Sequence, residues 1–201
     1  MPLPRLFSNL PPPFVAFYDP EAPWTLLGDP LTQILGGGSI DPSARIHPSA
    51  VIEGPIFVGA NAEIRPGAFI RGGVWIGEGC VVGANTEIKR GILLPGASAS
   101  HLNYVGDSIL GAKVGLGAGT ILSNHRHDRA HVRIDGRDTG RRKLGAILGD
   151  GVLTGCGSVL HPGVVVGCET RIYPGVHLRP GTYAERSIVK LRQELEIVPR
   201  A

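Results

Sequence analysis

The stretch Ile40-Asp-Pro-Ser-Ala-Arg-Ile46-His-Pro-Ser-Ala-Val-Ile52-Glu-Gly-Pro-Ile-Phe-Val58-Gly-Ala-Asn-Ala-Glu-Ile64 puts a β-branched aliphatic residue at every sixth position. The beat continues through Ile70, Ile76, Val82, Ile88 and Leu94. Neither an α-helix nor a simple strand repeats at six. It resumes at Leu110, Leu116 and Leu122, and again through Leu148, Thr154, Leu160, Val166, Ile172 and Leu178, which makes nineteen hexads. Four residues after these anchors comes a second set of small or β-branched residues, among them Ala62, Ala68, Cys80, Thr86, Val114, Thr120, Val152 and Ser158. Anchor and fourth neighbour therefore share one interior. A six-residue unit with Gly or Pro at its turns is one short strand plus one corner, the unit of a parallel β-helix. Such strands cannot fold alone, so each coil stacks on the next through parallel backbone hydrogen bonds. At three hexads per coil the nineteen anchors predict an all-β solenoid of about six coils, a prism roughly 30 Å long at the usual strand spacing.

Composition narrows the function classes. The 201 residues fit one domain, and a formal net charge of +3 gives no argument for a nucleic-acid partner. No apolar run reaches the length of a membrane span, and the opening Met1-Pro-Leu-Pro-Arg-Leu-Phe-Ser-Asn9 lacks the apolar stretch of a signal peptide. The expectation is a cytoplasmic protein without membrane contact. None of Cys80, Cys156 and Cys168 has the spacing of a metal ligand set.

Residues 1–38 differ from the rest: they hold eight of the seventeen prolines and five of the eleven aromatics. They read as a capping segment that covers the open end of the prism. Asp29 to Leu35 predicts a short helix that starts with Pro30 and stops at Gly36-Gly-Gly38. The β-helix is expected over 39–182, with an insertion at 123–147. Within the insertion, Val132-Arg-Ile-Asp-Gly-Arg-Asp138 has the pattern of a hairpin with an Asp-Gly turn. Residues 183–201 read as a strand or short helix laid on the prism, from the alternation of Val189, Leu191, Leu195 and Ile197.

Two breaks in the repeat draw attention, because solenoids carry their chemistry where the repeat is interrupted. His101 sits in the first, Ser98 to Tyr104, beside small residues that leave room for a ligand. An imidazole can accept a proton near neutral pH; a loop histidine bonded to backbone or water is the other reading. Arg71 and Lys89 both follow an anchor directly and lie eighteen residues apart, so one stacks a coil above the other. Two cations at strand spacing suit a phosphate between or beside them, or else are surface charges screened by Glu87 and Glu78. The second break is basic, with Arg126, Arg129, Arg133, Arg137, Arg141, Arg142 and Lys143 against Asp128, Asp135 and Asp138. It reads either as a mobile arm able to hold the phosphates of coenzyme A or as a solvated loop. His125, His127 and His131 share this segment, but its irregular character argues against an ordered metal site, and no metal is expected.

The segment Glu87-Ile-Lys-Arg-Gly-Ile-Leu-Leu-Pro-Gly-Ala-Ser-Ala-Ser-His-Leu-Asn-Tyr-Val-Gly-Asp107, followed by Gly117-Ala-Gly-Thr-Ile-Leu-Ser-Asn124, resembles the acetyltransferase half of the bifunctional glucosamine-1-phosphate acetyltransferase and UDP-N-acetylglucosamine pyrophosphorylase. Thr139-Gly-Arg-Arg-Lys-Leu-Gly-Ala146 and Lys190 to Val198 resemble more closely the archaeal-type sugar-1-phosphate nucleotidylyltransferases with a fused β-helix. The resemblance covers roughly residues 40–198. It implies a left-handed hexapeptide β-helix, a homotrimer with sites between prisms, and N-acetyl transfer from acetyl-CoA to an amino sugar phosphate. By motif, His101 would be the general base and Glu87 would polarise it, while Arg71 and Lys89 would hold the sugar phosphate and Tyr104 would contact the sugar. Asn124, with His125 and Lys143 at the ends of the insertion, would serve the acetyl-CoA site. Gly115 and His125 stand where bacterial relatives have Asn and Tyr, so a sugar-phosphate-binding protein without donor chemistry is one alternative. A γ-carbonic-anhydrase-like metalloenzyme on the same fold is the other. No nucleotide-binding glycine loop follows a strand, and nucleotidyl transfer is not expected.

Overall fold

The computed structural model describes residues 3–194 and 196–199, and its body is a three-faced parallel β-solenoid. The first face is built from Ser39–Ile40, Ile56–Val58, the ends of Phe69–Ile76, Glu87–Leu93 and Tyr104–Leu110, then Ala146–Leu148, Val164–Val166 and Gly181–Tyr183. The second runs from Arg45–Ile46 to Ile188–Val189 in eight strands. The third holds Val51–Glu53, the beginnings of the same three long strands, Ile121–Leu122, Val159–Leu160 and His177–Leu178. The interior follows the two-position rule: anchors such as Ile70, Ile76, Val82 and Ile88 share it with Ala62, Ala68, Cys80, Val114 and Val152, all within 1% of complete burial. Thr154, the one polar anchor, is accommodated by a hydroxyl contact with Thr120 at 2.9 Å.

The solenoid has eight coils, against about six expected, because several coils contain seventeen residues. Ile76 lies beside Leu93 and Leu93 beside Leu110, while Val82 pairs with Ala99 and Ile88 with Val105. A strict count of six skips Ala99 and Val105 and lands on Leu94, which instead packs outside the prism. Near the C-terminus, Val166 pairs with Tyr183 and Ile172 with Val189, which forms the eighth coil. The first break is therefore continuous with the prism: Ser98–His101 and Tyr104–Leu110 are strands, joined by a corner at Leu102 and Asn103. Beyond Val189 the described residues carry no regular structure and leave Leu191 and Ile197 exposed; Leu195 lies outside the described residues.

The N-terminal segment lies along the first face rather than across the end of the prism. That face is apolar on both sides, with runs such as Val74-Trp75-Ile76, Gly91-Ile92-Leu93 and Ala146-Ile147-Leu148, the pattern of a parallel strand buried on both surfaces. Trp75, Ile92, Ile109, Ile147 and Val165 point outward from it and form a second core with Phe14, Trp24, Leu26, Leu27, Leu31 and Leu35. The helix Asp29–Leu35 ends at Gly36, whose φ is 50°. The insertion joins the same core. Its hairpin Arg133–Ile134 and Arg137–Asp138 turns through Asp135 and Gly136, both at positive φ, and buries Val132, Ile134 and Leu144. Arg137 pairs with Glu21 at 2.9 Å, and Arg141 donates to the carbonyl of Leu27 at 3.2 Å. The basic segment is thus a packed element of its own chain. Its anchors were hidden among its many charges.

Trp75 stacks on Phe57 at 3.6 Å between ring centroids and meets the edge of Phe14 at 5.0 Å. Trp75→Ala should cost about 3–5 kcal/mol in chemical unfolding and expose the N-terminal segment to protease first. An unchanged unfolding midpoint would show that the second core contributes nothing to the stability of the prism.

Candidate functional site

The corner between the third and first faces is where the coil length changes. Arg71 pairs with Lys89, and Lys89 with Gly106, in one column up the third face. The next position holds two residues in one coil, Gly72 and Gly73, and one residue in each of the next two, Arg90 and Asp107. All four lie at positive φ, with Arg90 at 48° and Asp107 at 42°. Glycine adopts that conformation freely and aspartate with some tolerance, whereas for arginine it is strained. Shortening the coil thus sets charged side chains at a corner where glycines would ordinarily turn the chain.

Asp107 is fully buried at this corner. Its carboxylate accepts from Lys89 Nζ at 3.4 Å and from the Asn124 amide, and Arg90 Nη1 lies 3.6 Å away. Tyr104 donates its hydroxyl to Asn124 Oδ1 at 3.4 Å. Burial pushes the Lys89 ammonium below the usual lysine range; Asp107 opposes that shift, and Lys143 and Arg90 add to it. Burial likewise lowers Arg141, whose Nε is buried without a hydrogen-bond partner among the described residues. Burial, then the charges of Glu87 and Asp107, push the Tyr104 hydroxyl up.

The residues singled out from the sequence fall into three places. Arg71, Lys89 and Tyr104 share the third face on successive coils, and Glu87 pairs with Arg71 at 2.7 Å. Asn124, His125 and Lys143 meet at the neck of the insertion, where His125 and Lys143 form an isolated antiparallel bridge and Leu144 N–H donates to the Asn124 carbonyl. His101 stands on the second face at the end of its strand, exposed and one coil above Ala84. Among the described residues no hydrogen bond joins it to Glu87; one corner of the prism separates them. That corner is held by Asn103, which accepts from the His101 N–H at 3.1 Å and donates to the Gly117 carbonyl at 2.8 Å. Leu102 beside it is exposed and at positive φ. Asp107, Asn103 and Arg90 were not singled out from the sequence. Their signal is positional, because each falls at a corner that becomes visible only once the seventeen-residue coils are recognised.

The family model of the GMPPB C-terminal domain matches residues 52–156, the prism segment that carries this corner. The chain belongs to the GMPPB C-terminal domain family. A bifunctional sugar-1-phosphate nucleotidylyltransferase/acetyltransferase of Sulfurisphaera tokodaii is 41% identical over 78 residues, which cover 37% of this chain and 20% of that protein. The bifunctional protein GlmU of Methanococcus aeolicus is 36% identical over 154 residues, covering 66% of this chain and 37% of its own length. This member of the GMPPB C-terminal domain family therefore aligns with a minor part of each relative. Among solved structures, AntD, an N-acyltransferase from Bacillus cereus in complex with dTDP and 3-hydroxybutyryl-CoA, superposes with a TM-score of 0.48 at 18% identity, over 80% of this chain and 81% of that one. Among the described residues, no three His, Cys, Asp or Glu side chains gather in a way that could hold a metal ion.

Gly106 lies between Lys89 and the Asn124 amide, and a Cβ there would stand 2.7 Å from the Asn124 side chain and 2.8 Å from the Tyr104 ring. Gly106→Ala should therefore displace both groups and cost about 1–3 kcal/mol of stability, read by urea unfolding. Wild-type stability in this variant would mean that the corner is loosely packed.

Proposed function

We propose that this chain is an N-acetyltransferase that uses an acyl-CoA donor and an amino sugar phosphate acceptor. The observation that carries the reading is the column of Arg71 over Lys89, reached from one side by Tyr104 and from the other by the Asn124 neck. A phosphate dianion suits this corner because Lys89, Arg90 and Arg141 gather around the buried Asp107 carboxylate and Lys143 lies near Lys89. Arg71 is already paired with Glu87, so its guanidinium would be shared between that carboxylate and the incoming phosphate.

In the reaction the free amine attacks the thioester carbonyl carbon, a C–N bond forms and the C–S bond breaks. His101 takes the proton that the nitrogen loses and returns it to the departing sulfur, which leaves as the coenzyme A thiol. A positioned base of this kind contributes typically a hundred- to ten-thousand-fold. The relatives that name an acetyltransferase or a bifunctional protein support the assignment, as does the match of the family model over the same coils. No nucleotidyl transfer is included.

The proposal includes a homotrimer with sites between prisms. Among the described residues His101 has no acidic partner, and the second and third faces leave Val51, Leu102, Leu153 and Tyr173 exposed, while the first face is sealed by the N-terminal segment and the insertion. Closed three-fold symmetry buries such faces without forming open filaments. Light scattering should give three times the chain mass of 21.2 kDa; a concentration-independent single-chain mass would remove the inter-prism site.

His101→Ala should lower thiol release from acetyl-CoA, with glucosamine-1-phosphate as acceptor, by at least about a hundred-fold while leaving acceptor binding nearly intact. Wild-type protein that binds glucosamine-1-phosphate but releases no thiol above background with any of several amino sugars would favour the sugar-phosphate-binding alternative.

A further inference from the structure

We infer that Asp107 is a positioning residue: its buried carboxylate holds the Lys89 ammonium charged and in place for the substrate phosphate, and ties it to the Asn124 amide at the neck of the insertion. The inference rests on the reading of Lys89 as a sugar-phosphate contact. It names the group on which that contact depends.

The partners of Asp107 come from the coils on either side of it. Lys89 comes from the coil below, Arg90 from the corner of that coil, and Asn124 from the coil above. The Asp107 main-chain carbonyl accepts from the Gly145 N–H, where the insertion returns to the prism. On the neighbouring residue, the Ser108 hydroxyl donates to the Gly106 carbonyl and accepts from the Ala146 N–H, which locks the backbone on either side of the carboxylate. The side chain has no exposure and no freedom to follow a moving partner.

Among the described residues, Lys89 has no other acid to lean on. Glu87, two residues away on the same strand, is engaged by Arg71, and the remaining charged groups facing Lys89 are Arg90 and Lys143, both cations. A half-buried ammonium between two cations tends to lose its proton, and an opposite charge within hydrogen-bond reach counters that tendency. Removing one partner of a buried pair leaves the other charge uncompensated. The same carboxylate oxygen, Oδ2, serves Lys89 and Asn124, so the acceptor and donor sides of the site share one fixed atom.

The chain has four lysines, which makes the ammonium groups separable by NMR of protein labelled with 13C-lysine, with Lys89→Arg to assign the Lys89 signal. In Asp107→Asn, the titration midpoint of Lys89 should move to lower pH while those of Lys113 and Lys190 stay fixed. Calorimetry at pH 9 should then show glucosamine-1-phosphate binding weakened about tenfold or more relative to wild type, the scale of a lost charge-assisted contact. Asp107→Glu should keep Lys89 charged and recover part of the affinity. An unchanged Lys89 midpoint in Asp107→Asn overturns the inference. If that variant fails to fold, Asn124→Ala carries the test: with Oδ2 left to Lys89 alone, the midpoint should rise, and no movement overturns the inference. A Lys89 midpoint that follows Asp107 in protein that does not bind glucosamine-1-phosphate supports the charge link and sinks the sugar-phosphate reading instead.

Discussion

Parallel backbone hydrogen bonding between coils is the constraint from which the rest of this molecule follows. Each residue of the prism is fixed beside its counterpart one turn earlier, so a side chain's neighbours are set by coil length rather than by sequence proximity. Where the coil is eighteen residues long, Ile52 lies beside Ile70 and Ile70 beside Ile88, and the interior stays in register. Where it falls to seventeen, the missing residue must come from a corner, because a deletion within a strand would turn its buried side chains outward. Between Arg71 and Val74 the corner keeps two residues, and the next two coils each have one there, Arg90 and Asp107. The candidate site is therefore built at a structural seam, and its charged residues occupy turn positions.

The three faces have different fates, and this asymmetry decides where a site can open. The first face is sealed by its own chain: aromatic and aliphatic residues of the N-terminal segment cover Trp75, Ile92, Ile109, Ile147 and Val165, and the insertion extends that cover. The hydrophobic effect drives this, since those outward residues would otherwise leave a long apolar stripe in water. Arg141 is drawn into the same cover, with its guanidinium donating to Leu27, and so comes close to the buried carboxylate of Asp107. The segment that completes the second core thus also supplies part of the positive charge at the corner. Among the described residues the second and third faces carry no such cover, and His101 opens onto one of them.

Much of the fold was legible because the interior of a narrow prism admits few residue types. Anchors and their fourth neighbours reported burial directly, and so did the Asp135-Gly136 turn and the glycine stop after Leu35. The coil number was not legible, since Ala99 and Val105 keep the six-residue beat only relative to Leu93, which stands one position before the apparent anchor Leu94. The N-terminal segment was readable as a cover but not as to which surface it covers. The decisive sign was present in the three-residue apolar runs of the first face, which mark strands buried on both sides. At the site, the stacking of Arg71 and Lys89 follows from an eighteen-residue separation alone. Asp107 does not, because a lone acid after a glycine looks like any turn residue until the seventeen-residue register brings it beside Lys89.

Charge at the corner is organised by burial as much as by number. Arg71 and Glu87 neutralise each other on a partly exposed stretch of the third face, where solvent weakens their mutual hold. Asp107 is out of water altogether, so its carboxylate depends on donors of the protein. Lys89 and Asn124 supply hydrogen bonds to Oδ2, whereas Oδ1 has only the Arg90 guanidinium at 3.6 Å and no hydrogen-bond partner among the described residues. A corner arranged in this way holds its charged groups through bonds within the protein itself. In the proposed acetyl transfer, preorganised charge of that kind would favour a dianion over water because little reorganisation would remain to be done on binding, and it would place the demand for movement on the sugar and the acyl donor rather than on the prism.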